Sequence, residues 1–200
     1  MDEVIPGILH WRARHPRIGV DVSSYLLLDS GTLLDPMLPE GEGPDWVGHP
    51  VSQVLLTVRH HLRSAERFGV PILAHRAGLH EFEGSGLEVR GYEAGDELAP
   101  GVRVLPFGRI CPDDAVLKID AGPGALAFGD GLVHYDGLGH PPDQYLGEDP
   151  EAVKADIIEG VVPLLEEEFD ALLFAHGLPV AAGGRRMLRE LVAARRGGAG

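Results

Sequence analysis

Cysteine is nearly absent from this chain. Its one thiol, Cys111, excludes an internal disulfide and with it the stapled folds of small secreted proteins. Long hydrophobic runs are missing too. None approaches the ~18–20 residues that a membrane-spanning helix needs, so no membrane partner is expected. The start of the chain, Met1-Asp2-Glu3-Val4, lacks the basic and apolar regions of a signal peptide. Together these absences point to the cytoplasm. Basic charge is scarce: 17 Lys and Arg stand against 31 Asp and Glu, for a net charge of −14. Binding to nucleic-acid phosphates depends on clustered cations, so no nucleic-acid partner is expected. The one basic concentration, Arg185-Arg186, Arg189 and Arg195-Arg196, reads as the solvated face of a last helix. No low-complexity linker divides the chain.

What is present suits one globular unit. The 200 residues, 44% of them apolar, are enough to bury a substantial core in a single domain spanning 1–200. Strand-like apolar runs with turn residues between them fall at Val20–Leu28, Thr32–Asp35, Gln53–Thr57 and Val70–Ala74, and then at Leu87–Arg90, Val102–Pro106, Val116–Ile119, Ala125–Phe128 and Ala171–Phe174. Two β-rich halves thus meet near Pro100-Gly101 and are expected to share one core. Helices are expected at Asp149–Glu168 and Gly184–Ala194, with a shorter one at Ser64–Phe68. For the first of these, Asp149 can cap, Pro150 suits the first helical position, and Val153, Ile157, Val161 and Leu164 share a face. Gly197-Gly198-Ala199-Gly200 reads as a frayed tail.

The most informative stretch is Leu55-Leu56-Thr57-Val58-Arg59-His60-His61-Leu62-Arg63, a buried strand running into a histidine-rich turn. Three other strand ends carry chemistry. Gly31-Thr32-Leu33-Leu34-Asp35-Pro36 follows the run Ser23-Ser24-Tyr25-Leu26-Leu27-Leu28, Ala127-Phe128 leads into Gly129-Asp130, and Leu172-Leu173-Phe174-Ala175 leads into His176-Gly177-Leu178-Pro179. In this order and spacing, and over nearly the whole chain, the motifs resemble those of the metallo-β-lactamase superfamily, most nearly its hydroxyacylglutathione-hydrolase-like members. The resemblance implies an α/β fold of the α+β type, a four-layer αββα sandwich with mixed sheets. It also implies a metal-dependent hydrolase of an ester, thioester or similar bond.

The resemblance also implies an eroded metal centre. In that family the loop reads Thr-His-x-His-x-Asp-His, and a further histidine lies in a Pro-Gly-His turn. Here Val58, Leu62 and Arg63 stand in three of the loop's four ligand positions, and Arg109, within Pro106-Phe107-Gly108-Arg109, stands near the position of the later turn's histidine. His60, Asp130 and His176 match. They are therefore the expected metal ligands, for at most one weakly held zinc or other divalent ion, and no catalytic residue can be named. A second reading, of another class, is a non-catalytic protein that uses the old pocket for a small anionic molecule. Arg63 and Arg109 would be its anion-binding residues, with His61 and His134 beside them, and either arginine could pair with Asp130. In both readings the partner is a small molecule. His61, extra to the motif, could instead turn away from the pocket, and His134 and His140 could be ordinary loop residues. Cys111 beside Arg109 could be a nucleophile, but no His–Asp pair points to it, and a small buried residue before Pro112 is the simpler reading.

Overall fold

The computed structural model describes residues 1–197. Seven strands form the first sheet: β1 (Asp2–Ile5), β2 (Ile8–Arg14), β3 (Asp21–Leu27), β4 (Thr32–Leu34), β5 (Gln53–Leu55), β6 (Ile72–His75) and β7 (Val89–Tyr92). They lie in chain order, antiparallel from β1 to β4 and parallel from β4 to β7. The second sheet contains β8 (Glu97–Ala99), β9 (Val102–Leu105), β10 (Val116–Ile119) and β11 (Ala125–Phe128). A small ribbon, β12 (Val133–His134) and β13 (Leu138–Gly139), and the helix α1 (Pro150–Leu164) come next. Then β14 (Ala171–Phe174) joins the second sheet beside β11, giving the order β14-β11-β10-β9-β8, and α2 (Gly184–Gly197) follows. Residues 198–200 of the expected tail lie outside the described residues, and Gly197 is the last residue of α2.

Strand alternation builds three cores from two sheets. Along β11 and β14, Ala125, Ala127, Ala171 and Leu173 face the first sheet, where they meet Tyr25, Leu34, Leu55 and Tyr92. Their neighbours Leu126, Phe128, Leu172 and Phe174 face the other way, onto Ile157, Val161 and Leu164 of α1 and Leu188 of α2. Alanines on the inner face keep the sheets close, and the large side chains go where helices must be met. On the outer face of the first sheet, Leu33, Val54 and Leu56 pack with Trp11, Val47, Ala65 and Phe82. The cover there consists of short 3-10 turns at Pro44–Val47, Arg59–Leu62, Ala65–Phe68 and Arg76–Phe82. The expected helix at Ser64–Phe68 is one of these turns. The fold is thus a layered sandwich of mixed sheets, with α-helices on one side and 3-10 turns on the other.

Both α-helices start at or next to the residue the sequence marks. Asp149 caps α1 by accepting from the Ala152 amide at 3.0 Å, and Pro150 occupies the first turn. Pro163 falls near the last residue, Leu164, several residues short of the expected end at Glu168. The two sheets are tied where they meet the site. Tyr25 on β3 donates to the Phe174 carbonyl at 2.8 Å, and its hydroxyl accepts from the Phe174 amide at 3.0 Å.

Candidate metal centre

Strand register brings the site together. β11 and β14 run parallel with Phe128 opposite Phe174. Two residues beyond each partner stand Asp130 and His176, so a parallel pair in register delivers them side by side. On the first sheet, β4 and β5 are likewise parallel, with Leu34 opposite Leu55. Asp35 therefore lies beside the start of the histidine-rich turn. Its buried carboxylate accepts from the Thr57 amide at 2.8 Å and from the Thr57 hydroxyl at 2.5 Å. The main-chain φ of Asp35 is +45°, a conformation few non-glycine residues adopt, and these bonds hold it there.

The turn then decides which histidine enters. Residues Arg59–Leu62 form a 3-10 turn that kinks at His61, where φ is −87° and ψ is 21°, so neighbouring side chains leave it in different directions. His60 points outward and is exposed, while His61 folds back and is buried. His61 Nδ1 donates to Asp35 Oδ2 at 3.0 Å and lies 3.1 Å from the Thr57 hydroxyl. With Nδ1 committed, Nε2 faces Asp130 Oδ1 at 3.1 Å and His176 Nε2 at 3.3 Å. His176 Nε2 closes the triangle at 3.2 Å from the same Asp130 oxygen. Each of the three residues offers one donor atom, all within 4.8 Å of one another.

The electrostatics follow from this packing. Burial and the nearby Arg63 guanidinium pull His61 down, but the carboxylates of Asp35 and Asp130 overcome both and push it up to about 9. Burial works against ionisation of Asp130, yet His61 and His176 hold it well below the usual carboxylate range. Burial is the largest influence on His176 and lowers it.

Sequence reasoning named Asp130 and His176, and the structure places them together. His60 is not the residue that meets them, because the 3-10 turn sends it outward; His61 takes that place. No signal in the residue types marks His61 over His60, because the conformation of the turn sets the direction of each ring. The expected pairing of Asp130 with an arginine is not found. Arg63 donates from Nη1 to the carbonyls of Ser23 at 2.9 Å and Asp35 at 2.8 Å, and from Nη2 to Ala175 at 3.4 Å. Arg109 lies over α1, where it pairs with Asp156 at 2.9 Å and packs against Gly160. His134 turns its ring to the Leu178 carbonyl, 2.7 Å away, and to Phe174, and its amide donates to the His176 carbonyl at 3.1 Å. It therefore braces the segment that carries His176. Cys111 is not an activated nucleophile: burial, together with Asp113 and Asp114, pushes its thiol up to about 12.

The donor set suits one divalent metal ion. Three atoms 3.1–3.3 Å apart approach the ~3.4 Å edge of a tetrahedron of donors at bond lengths of about 2.1 Å. The bond from His61 Nδ1 to Asp35 fixes which nitrogen faces the site, as second partners of ligating histidines do. Val58 is buried and Leu62 packs into the outer core of the first sheet, and neither side chain carries a donor.

No protein-family model matches the chain, and no curated protein matches it by sequence. Solved structures do resemble it. A metallo-β-lactamase family protein from Thermus thermophilus superposes with a TM-score of 0.67 at 19% identity, covering 98% of this chain and 81% of that one. A β-lactamase domain protein from Burkholderia ambifaria gives 0.69 at 21%, covering 98% and 76%. The DIM-1 metallo-β-lactamase gives 0.70 at 14%, covering 96% and 95%. At these identities the likeness concerns the fold: the chain has the metallo-β-lactamase fold.

Proposed function

We propose that the chain is a metallo-hydrolase-like protein that works with a single divalent ion, held by His61 Nε2, His176 Nε2 and Asp130. The observation that carries this reading is the triangle of donors, with its buried Asp35 support behind His61. A bound ion there would polarise a substrate oxygen and lower the pKa of bound water. The chain's own residues do the rest. Asp35 holds the His61 ring with Nε2 toward the site, Asp130 adds the one anionic donor, and His134 and Tyr25 fix the strand end that carries His176. Three protein donors leave a position open, as in catalytic rather than structural sites. The remaining positions lack donors, so we read the centre as reduced from two ions to one, and the bond cleaved as an ester, thioester or similar linkage of a small molecule.

The anion-binding reading has less support. Arg109 is spent on Asp156, and the Arg63 donors go to main-chain carbonyls. Among the described residues no helix is long and apolar enough to cross a membrane. With the single thiol and the acidic balance, we place the protein in the cytoplasm, acting on a small-molecule substrate and not on nucleic acid.

The test is hydrolysis of a panel of esters and thioesters by protein loaded separately with Zn²⁺, Mn²⁺, Co²⁺ and Fe²⁺. Turnover that needs the ion and disappears in Asp130→Asn is the expected result. Protein that takes up no ion, or turnover that survives both chelation and Asp130→Asn, would sink the reading.

A further inference from the structure

Arg63 stands where the resemblance leads one to expect a metal ligand, and it has the least comfortable backbone in the site. Its φ is +42° and its ψ −107°, in a residue with a large side chain. Strain of this kind persists only where surrounding bonds over-determine it. Those bonds are the three from its guanidinium, and they reach three separate strand ends. Ser23 lies in β3, Asp35 directly follows β4, and Ala175 directly follows β14 on the second sheet. Two of these carbonyls belong to residues that support the donors. Asp35 holds the His61 ring, and Ala175 is the residue before His176. Ser23 completes the tie, since its amide donates to the Ala175 carbonyl at 2.9 Å and its hydroxyl to the Gly177 carbonyl at 2.6 Å.

We propose that Arg63 is the positioning residue of the centre, a guanidinium clamp that fixes the separation of His61 and His176 by binding the main chain of Asp35, whose carboxylate holds the His61 ring, and of Ala175, the residue before His176. The proposal rests on the single-ion reading above and adds a role for a residue that touches neither ion nor substrate. A planar fork is the group suited to the task. Its nitrogens reach carbonyls in different directions from a fixed plane, whereas a lysine ammonium is a point donor on a flexible stem.

The experiment is a Co²⁺ titration read by visible absorption, on protein held well below its melting temperature. Wild type is compared with Arg63→Lys and with Leu188→Ala, which opens the buried core under α2 far from the guanidinium. Arg63→Lys is expected to bind Co²⁺ about ten- to a hundred-fold more weakly, the range for loss of a partner behind the ligands, and to change the intensity of the cobalt bands. Leu188→Ala is expected to melt earlier and bind as wild type does. Should Arg63→Lys not fold, Arg63→Gln takes its place. Wild-type affinity and bands in the Arg63 variant, or an equal loss in Leu188→Ala, would overturn the clamp. If wild type itself takes up no Co²⁺, the single-ion reading fails separately. The clamp is then judged on metal-free protein by ¹⁵N–¹H spectra of the imidazoles. Narrow His61 and His176 signals that broaden in the Arg63 variant support it, and unchanged signals overturn it.

Discussion

His60 and His61 are neighbours in the chain with opposite surroundings, and the difference is one step of a 3-10 turn. His61 has a carboxylate on each side, at 3.0 Å to Asp35 and 3.1 Å to Asp130, while His60 is exposed. His61→Ala is therefore expected to abolish Co²⁺ uptake, and His60→Ala to leave it within a few-fold of wild type. Equal loss in both, read by visible absorption, would show that the turn is not built this way in solution. Cys111 gives a second prediction at this scale. With its thiol pushed up to about 12 by burial and then by Asp113 and Asp114, almost none of it is thiolate near pH 8. Iodoacetamide should modify it slowly in the folded protein and quickly after denaturation, as followed by mass spectrometry. Rapid alkylation of the native protein would contradict this. Asp130 and His176 were legible because Gly129-Asp130 and His176-Gly177-Leu178-Pro179 each follow an apolar strand and resemble the superfamily's strand-end motifs. His61 was not, because the direction of a side chain inside a turn depends on a rotation the residue types do not announce. Arg63 was read as a partner for a carboxylate, whereas main-chain carbonyls claim it.

The strands and helices carry the site by register, and two of their details can be tested. Gly177, with φ +103°, follows His176 where the ribbon strand β12 crosses close behind, and a Cβ added there would run into the His134 carbonyl. Gly177→Ala must push the ribbon off β14 and drag His176 with it. A lower melting temperature together with weaker metal uptake is expected, and a variant that melts and binds as wild type does would refute the close approach. At the start of α1, Asp149→Ala removes the side chain that accepts from the Ala152 amide. The cost expected from chemical denaturation is about 1 kcal/mol. No change would mean that the cap contributes nothing. The fully buried strands of the second sheet were readable from sequence, since Ala125–Phe128 and Ala171–Phe174 are apolar throughout and bounded by turn residues. Strands β1 and β2 were not, because the exposed positions of Ile8–Arg14 carry Arg12 and Arg14 and break up the apolar run. The 3-10 turns covering the first sheet are too short to leave a periodic signal.

At the scale of the molecule, the sheets meet over a core to which both contribute, from Tyr25 and Leu55 on one side to Leu117 and Leu173 on the other. The site lies at the edge where strands of both sheets end, so it exists only when the sandwich is closed. The layered α/β fold was legible from the order of motifs along the chain, because each motif ends a strand and strand ends gather at one edge. Which histidine of the turn stands there was not, because it depends on which side chain the turn directs inward. The central claim is that three donors, His61, Asp130 and His176, hold one ion. Its most direct test is native mass spectrometry with elemental analysis, on wild-type and His61→Ala protein purified without chelator from metal-supplemented medium. One divalent ion per chain in wild type and none in His61→Ala is the result expected. Two ions per chain, none, or a single ion that survives His61→Ala would contradict it.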